Sequence, residues 1–145
     1  MKSRKLLSLI APLALLACAE TAVAATLMVT KTAACGCCRE WVEHMRKAGF
    51  DVHVRDVEDV TPTARRLGVP DRLRSCHTSQ IAGYAIEGHV PPADVKRLLA
   101  TKPKAAGITV PGMVAGSPGM EVGHSQPYKV LLFDKSGKTR VFATH

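Results

Sequence analysis

The sequence predicts an α/β domain with a central mixed sheet flanked by helices. A β-branched and apolar stretch over 26–30 is followed by an amphipathic stretch over 39–48 and by an alternating stretch over 50–57. Strand, helix and strand in succession favour parallel pairing through a right-handed crossover. Two further strand-like stretches, 128–134 and 139–142, are separated by a short turn and predict an antiparallel hairpin. A sheet that contains both kinds of pairing is mixed.

Residues 1–24 have the composition of a secretory signal peptide. Three basic residues precede an apolar run over 6–17 that is too short to span a bilayer, and an A-x-A cleavage site follows it. We therefore expect export to the periplasm and a single domain over 25–145, with no membrane span. A competing lipoprotein-like motif ends at Cys18, so lipid anchoring through this cysteine is the alternative.

The positive charge of the chain does not indicate a nucleic-acid partner. Of 20 basic and 12 acidic residues, three and one lie within the predicted signal peptide, which leaves 17 and 11 in the domain. These charges are spread along the chain and aromatic residues make up only 4%. The densest basic run is interpreted as a solvated face; it comprises Arg65, Arg66, Arg72 and Arg74.

The middle of the chain alternates between short helical and extended stretches. Gly49 is positioned as a C-cap glycine for the first helix. His53 falls on the polar side of the second strand, where solvent exposure is expected. The next predicted elements are a helix over 61–67, a helical turn at 71–74, a strand or hairpin arm at 81–86, a turn at 87–91 and a helix over 92–100.

A stretch over 105–126 is rich in Gly, Pro, Val and Met and shows no periodicity. It is therefore predicted to be a long loop, and long loops in compact domains are often functional. Met113 and Met120 each follow a glycine, which makes their thioethers candidates for a site as well as for packing.

Cysteines are concentrated at the start of the first helix. Cys35, Cys37 and Cys38 occupy three of four positions, where the helix dipole favours the thiolate form. Cys38 shares the apolar stripe of Trp41 and should face inward, whereas Cys37 should face outward. This clustering is unlike the dispersed cysteines of a disulfide-stapled scaffold.

A fourth cysteine of the predicted domain, Cys76, lies beside His77, and His89 lies in a predicted turn. Thiolates, thioethers and imidazoles are the ligands that soft Cu(I) selects. No catalytic residue and no site for an organic cofactor is assigned. The candidate metal ligands are Cys35, Cys37, Cys38, Cys76, Met113, Met120, His77 and His89.

The order of strand, cysteine loop, helix, strand and later hairpin is similar to the thioredoxin-like fold. In that fold a cis-proline before the hairpin sits against the cysteine loop. The resemblance implies this role for Pro111, in the segment Thr109-Val110-Pro111, with Met113 facing the cysteines. The chain departs from a plain thioredoxin in its third loop cysteine and in a long insertion.

A more specific resemblance, over residues 26–122, is to the CopG-like family of exported copper-resistance proteins. The motifs that carry it are Cys35-Gly-Cys-Cys38, Ser75-Cys-His-Thr78, Tyr84-Ala-Ile-Glu-Gly-His-Val-Pro91, Val110-Pro-Gly-Met113 and Gly116-Ser-Pro-Gly-Met-Glu121. The resemblance implies a periplasmic, thioredoxin-like domain that binds copper through its cysteines. Its expected partners are copper ions and other periplasmic copper-handling proteins.

Two other functions fit part of the pattern. Cys35 and Cys38 satisfy the C-x-x-C spacing of a thiol-disulfide oxidoreductase, or of a copper reductase, but this leaves two cysteines unused. A structural zinc site could use four thiolates, although the adjacent pair Cys37-Cys38 lacks the usual spacer. Copper binding uses all four cysteines. Adjacent helical residues such as Cys37 and Cys38 project about 100° apart, so one small ion cannot easily contact both. Because Cu(I) also accepts only two or three sulfur ligands, we expect more than one Cu(I), with thiolates bridging between the ions.

Overall fold

The computed structural model describes residues 25–145, so the predicted signal peptide lies outside the described residues. The described chain forms one seven-stranded sheet with three α-helices and a single 3₁₀ turn. The strands are β1 (Leu27–Lys31), β2 (Val52–Asp56), β3 (Thr78–Ile81), β4 (Tyr84–Glu87), β5 (Gly107–Thr109), β6 (Lys129–Phe133) and β7 (Thr139–Thr144). The helices are α1 (Gly36–Lys47), α2 (Thr61–Arg66) and α3 (Pro92–Thr101), and the 3₁₀ turn is Asp71–Leu73.

The sheet is mixed, as predicted. Its strand order is β2-β1-β3-β4-β5-β6-β7. The β1–β2 and β4–β5 pairs are parallel, and the other four pairs are antiparallel. The α/β class, the parallel β1–α1–β2 unit and the closing β6–β7 hairpin are therefore confirmed.

Helix α1 packs its apolar stripe into the main core. Cys38, Trp41, Val42 and Met45 are buried on this stripe. The indole Nε1 of Trp41 donates a hydrogen bond of 2.9 Å to the carbonyl oxygen of Val90, so the largest core side chain keeps its polar group satisfied. Strand residues that join this core include Leu27, Val29, Ile81, Ile86, Ile108, Val130 and Leu132.

Strand β2 is more exposed than its alternating pattern predicted. It lies at one edge of the sheet, and both His53 and Val54 are exposed. The exposure of His53 agrees with the prediction, whereas that of Val54 does not. Alternation indicates which residues share a face of the sheet, but it carries no information on whether another element covers that face.

The stretch over 81–86, predicted to be a strand or a hairpin arm, contains the turn and most of the second strand of a hairpin. Strands β3 and β4 are joined by Ala82 and Gly83, which have φ values of +47° and +85°. A two-residue hairpin turn of this kind usually contains Asn-Gly or Asp-Gly. Because alanine stands at the first position, the sequence lacks the usual hairpin signal.

The long loop predicted over 105–126 also contains a strand. Strand β5 pairs in parallel with β4 and is completely buried. Strands β4 and β5 approach each other closely at Gly107, where a Cβ atom would lie 2.1 Å from the carbonyl oxygen of Ala85. A strand of three residues is too short to produce a periodic pattern.

The prediction of a cis peptide bond at Pro111 is wrong, since residues 25–145 contain no cis peptide bond. The hairpin beside the cysteine loop is β3–β4, and it is preceded by Cys76-His77. Pro111 instead follows β5, which is separated from β1 by two strands. Within the described chain, no helix combines the length and the apolar character needed to cross a membrane.

Candidate metal centre

The first turn of α1 arranges three cysteines around the helix N-terminus. Cys35 is the N-cap residue, and its Sγ atom accepts the backbone N–H of Cys38 at 3.3 Å. Cys38 is fully buried and Cys37 is half-buried. The inward orientation of Cys38, predicted from its place on the Trp41 stripe, is confirmed.

The antiparallel pairing of β1 with β3 brings Cys76 to this helix. Thr30 near the end of β1 pairs with Thr78 at the start of β3. The loop that follows β1 and the segment that precedes β3 therefore meet at one edge of the sheet. The Sγ atom of Cys37 lies 3.6 Å from that of Cys35 and 3.8 Å from that of Cys76. The four cysteine sulfurs all lie within 4.8 Å of one another.

Two of these sulfurs are joined in the structure. Cys35 and Cys38 form a disulfide across Cα atoms that are 5.3 Å apart. Cys37 and Cys76 are free thiols. A C-x-x-C disulfide and a pair of free thiols therefore share one cluster, so the described domain is not stapled by two structural disulfides.

His89 is oriented toward the cluster by its backbone contact. Its Nδ1 atom lies 2.8 Å from the carbonyl oxygen of Pro118, so Nδ1 carries the proton and donates it. This tautomer leaves a lone pair on Nε2, which lies 3.0 Å from the Sγ atom of Cys76. A ring nitrogen fixed by a carbonyl on its other side is the usual arrangement of a metal-binding histidine.

His77 completes a second group of potential ligands. Its Nδ1 atom lies 3.6 Å from the Sγ atom of Cys76, and Cys76, His77 and His89 form a set whose ligand atoms lie within 4.8 Å of one another. The His77 ring contacts Trp41 at a centroid distance of 4.4 Å and His89 at 5.0 Å. Its Nε2 atom is buried and has no hydrogen-bond partner among the described residues. Cys76 therefore belongs to two sets of potential ligands, the four cysteines and the set that it forms with His77 and His89.

Burial controls the protonation of these side chains. It raises the pKa of Cys76 to about 12, with a further increase from the nearby charge of Cys37. Burial lowers the pKa of His77 to about 3, helped by the neighbouring charge of His89, and it also lowers the pKa of His89. Near neutral pH both imidazoles are uncharged and able to bind a metal, whereas Cys76 must release a proton to do so.

Glu87 is a buried residue beside the site that the sequence interpretation missed. It is fully buried at the end of β4, and its carboxylate accepts the backbone N–H of Ser75 at 2.7 Å and the hydroxyl of Thr78 at 2.6 Å. Arg74 Nε lies 3.6 Å from the same carboxylate. Burial raises the pKa of Glu87, and the two hydrogen bonds and Arg74 oppose this rise. A glutamate at the end of a strand is ordinarily exposed, so no local signal identified it.

The two methionines lie in a segment that is anchored to the site. Gly112, directly before Met113, donates its N–H to the carbonyl oxygen of Arg74 at 3.1 Å. Gly119, directly before Met120, packs so closely on α1 that a Cβ atom would lie 2.6 Å from the carbonyl oxygen of Cys37. Met113 is 60% exposed and Met120 is half-buried. Coordination by either thioether stays a prediction.

A side-chain contact fixes the same segment to α1 further along the helix. Glu121 Oε1 lies 2.9 Å from His44 Nε2. Together with the Pro118–His89 hydrogen bond, this contact holds the chain around residues 118–121 across the start of α1.

Fold and site together define a small mixed α/β domain whose clustered thiols and imidazoles are able to hold metal ions. A family model described as a protein of unknown function, DUF411, matches residues 73–120. No curated protein matches the chain.

Two solved structures, both named copper resistance protein copG, are similar to the chain. Form 2 has a TM-score of 0.79 at 40% sequence identity, with coverage of 83% of this chain and 98% of that chain. Form 1 has a TM-score of 0.78 at 40% identity, with coverage of 83% and 96%. The chain belongs to the family of these copG proteins, which confirms the resemblance inferred from its motifs.

Proposed function

We propose that this chain is a copper-binding protein of copper resistance or homeostasis that holds Cu(I) through Cys35, Cys37, Cys38 and Cys76. The observation that carries the proposal is the convergence of four cysteine sulfurs from two separate segments within 4.8 Å. Soft thiolates favour Cu(I), and the nearby neutral imidazoles add nitrogen donors. The names of the copG structures support copper as the metal.

Reduction is required before all four cysteines can act as ligands. The Cys35–Cys38 disulfide takes up two electrons and two protons to give two thiols, and a dithiol reductant can supply both. Each thiol then loses its proton when it binds the metal. The copper-binding form is therefore the fully reduced protein.

We propose that the site holds more than one Cu(I), with Cys37 as a bridging ligand. The Cys37 sulfur lies 3.6 Å from one cysteine sulfur and 3.8 Å from another. Two sulfurs at such a distance can share an ion that lies about 2.3 Å from each, as in thiolate sites of zinc. Because Cys37 has such a neighbour on two sides, it can contact two ions. The proposed outer ligands are Met113, Met120, His77 and His89.

An anaerobic titration of reduced protein with Cu(I), against a competing chelator, tests this proposal. We expect saturation above one equivalent in the wild type and a lower stoichiometry in Cys37→Ser. Saturation at one equivalent that is unchanged by Cys37→Ser would show a mononuclear site. A reduced protein that does not compete with the chelator at all would refute copper binding.

Thiol-disulfide exchange, or the reduction of Cu(II), is the second candidate function. The observation that favours it is the Cys35–Cys38 disulfide at the N-terminus of α1, where the helix dipole favours a thiolate. For such an enzyme, Cys38→Ser would abolish insulin reduction, whereas Cys37→Ser and Cys76→Ser would largely retain it. We expect weak or no turnover by the wild type, and robust reduction by the metal-free protein would favour the enzyme.

We also propose that the part of the domain around the site is thioredoxin-like. Support comes from the parallel β1–α1–β2 unit, the cysteine loop at the start of α1 and the adjacent β3–β4 hairpin. In this assignment Cys76-His77 occupies the place before the hairpin that the thioredoxin-like resemblance implies for Pro111. Strands β5 to β7 then extend the sheet beyond this unit.

Location in the periplasm belongs to the same proposal. It rests on the signal-peptide pattern of residues 1–24 and on the likeness to copper resistance proteins. Other periplasmic copper-handling proteins are the proposed exchange partners for the metal. The alternative is the same domain anchored to a membrane through a lipid on Cys18.

A further inference from the structure

The carboxylate of Glu87 contacts both sides of the dipeptide Cys76-His77. Its Oε1 atom accepts the N–H of Ser75, on the N-terminal side, and its Oε2 atom accepts the hydroxyl of Thr78, on the C-terminal side. Glu87 is fully buried, so neither bond competes with bulk water. The two contacts restrict the segment that carries Cys76 at both of its ends.

We propose that Glu87 is a positioning residue of the metal centre, which fixes the Cys76 sulfur against Cys37 through its hydrogen bonds to Ser75 and Thr78. This inference rests on the proposed function, because it gives Glu87 a role in copper binding. Its purely geometric part, the placement of one thiol beside another, can be tested without copper.

The strand end that carries Glu87 is pressed directly against the Cys76 segment. Gly88 has a φ of +71°, and a Cβ atom on it would lie 2.6 Å from the Cβ atom of Ser75. The N–H of Gly88 also donates to the carbonyl oxygen of His77 at 3.0 Å. With no side chain at residue 88, the carboxylate of residue 87 can reach both flanks of the dipeptide.

Other bonds hold the chain just before this segment. The hydroxyl of Thr109 donates to the carbonyl oxygen of Leu73 at 2.9 Å, and the N–H of Gly112 donates to that of Arg74 at 3.1 Å. These contacts do not involve Glu87. The hydroxyl of Ser75 also donates to the carbonyl oxygen of Gly112. Loss of the Glu87 hydrogen bonds should therefore loosen the Cys76 segment while the chain up to Arg74 stays attached.

The test uses one control and two variants of the network formed by the hydrogen bonds of Glu87 to Ser75 and Thr78. Glu87→Gln keeps the shape of the side chain but removes the charge, and Thr78→Val removes one hydroxyl while it leaves the Glu87–Arg74 ion pair intact. Val130→Ala is the control, since Val130 is a fully buried residue of β6, which three strands separate from β1. It should lower the free energy of unfolding without touching the site.

The first measurement is metal-free. With the Cys35–Cys38 disulfide intact, dibromobimane bridges two nearby free thiols, and peptide mapping reports the rate of the Cys37–Cys76 cross-link. We expect a reduction of about tenfold in Glu87→Gln, because the amide NH2 group cannot accept the Thr78 hydroxyl and the remaining acceptor oxygen is uncharged, and of about threefold in Thr78→Val. Val130→Ala should react at the wild-type rate.

The second measurement is the Cu(I) affinity of the reduced proteins in competition with a chelator. We expect Glu87→Gln to weaken binding by about tenfold. In a Cys76→Ser background, Glu87→Gln should cause no further loss, because Glu87 acts through Cys76. A merely structural role would weaken binding equally in both backgrounds.

Cross-linking of Glu87→Gln at the wild-type rate would overturn the proposal, and so would an equal loss of rate in Val130→Ala. If cross-linking falls only in the network variants while no protein binds Cu(I), the proposed function is wrong and the role of Glu87 is limited to placing the thiol. Loss of copper binding that is equal with and without Cys76 would also exclude positioning through this residue.

Discussion

The Sγ atom of Cys76 lies 3.0 Å from Nε2 of His89, so the thiol has an imidazole acceptor within hydrogen-bonding distance. The ring is turned toward the sulfur because its other nitrogen donates to Pro118. A buried thiol paired with a neutral imidazole stays protonated, and both atoms become ligands once a metal replaces that proton.

Alkylation of Cys76 by iodoacetamide should be slow near neutral pH. The reactive species is the thiolate, and burial raises the pKa of this cysteine to about 12. We expect the rate constant to rise about tenfold per pH unit between pH 7 and pH 10, without a plateau. Mass-spectrometric peptide mapping follows Cys76 separately from the other cysteines. A plateau below pH 9 would contradict the protonated thiol.

Acid should destabilise the metal-free protein through His77. Its pKa is about 3 in the folded chain, against an ordinary value of 6.5. Between these values the unfolded chain binds more protons, so the stabilisation is complete above about pH 6.5 and is lost as the pH falls toward 3. This group alone contributes up to about 1.4 kcal/mol per pH unit to the change in free energy of unfolding.

Urea unfolding between pH 3.5 and pH 7 measures this effect. His77→Gln should have a shallower dependence on pH than the wild type, by up to one proton. His53→Gln is the matched control, because it removes a histidine that is exposed on β2. The raised pKa of Glu87 acts in the opposite direction but is common to all three proteins. Equal slopes in the wild type and His77→Gln would contradict the prediction.

Two glycines with similar backbone angles should differ in their tolerance of alanine. Gly119 and Gly123 have φ values of +83° and +85°. A Cβ atom at Gly119 would lie 2.8 Å from the backbone nitrogen of Trp41, whereas one at Gly123 would meet nothing within 4 Å. Gly123→Ala should cost about 1 kcal/mol from backbone strain alone. Gly119→Ala should cost about 3 kcal/mol or more because it also separates the loop from α1.

Chemical denaturation followed by Trp41 fluorescence measures both costs. Trp41 is the only tryptophan of the chain, and its backbone lies at the Gly119 contact. The Gly119→Ala protein should therefore also show an altered native emission. Equal losses of stability in the two variants would mean that the packing of Gly119 on α1 does not contribute to the free energy of unfolding.

Export should yield a protein that starts near Ala25. This expectation rests on the A-x-A site after a short apolar run. The intact mass of protein from the periplasmic fraction measures it, and a Cys18→Ser variant should be processed in the same way. A diacylglyceryl group on Cys18 would instead identify a lipoprotein.

Local sequence pattern was sufficient for α1 and for its cysteines. Cys38 and Trp41 fall on one face at helical spacing, and this face is buried. The pattern was insufficient for the β3–β4 hairpin, because its turn contains Ala82 instead of the residues that usually adopt positive φ. It was also insufficient for β5, since three buried residues among glycines show no period.

The composition of the site depends on contacts between distant residues. Cys76 was a candidate because of its residue type and its neighbour His77, but its distance to Cys37 follows from the β1–β3 register. The wrong assignment of Pro111 has the same origin, because the sequence did not reveal that an earlier hairpin lies beside the cysteine loop. Glu87 was read as part of a turn, since nothing local indicates that its carboxylate is buried.

The separation of Cys76 from the other cysteines bears on the order of events during folding. Cys35 and Cys38 are three residues apart, whereas 39 positions separate Cys37 from Cys76. The entropic cost of closing a loop rises with its length, so the two near cysteines meet in a chain that has not yet folded. Cys76 joins them only when β3 docks on β1, a non-local pairing that forms more slowly. An oxidant that meets the nascent chain will therefore pair two of the three neighbouring cysteines first and leave Cys76 reduced.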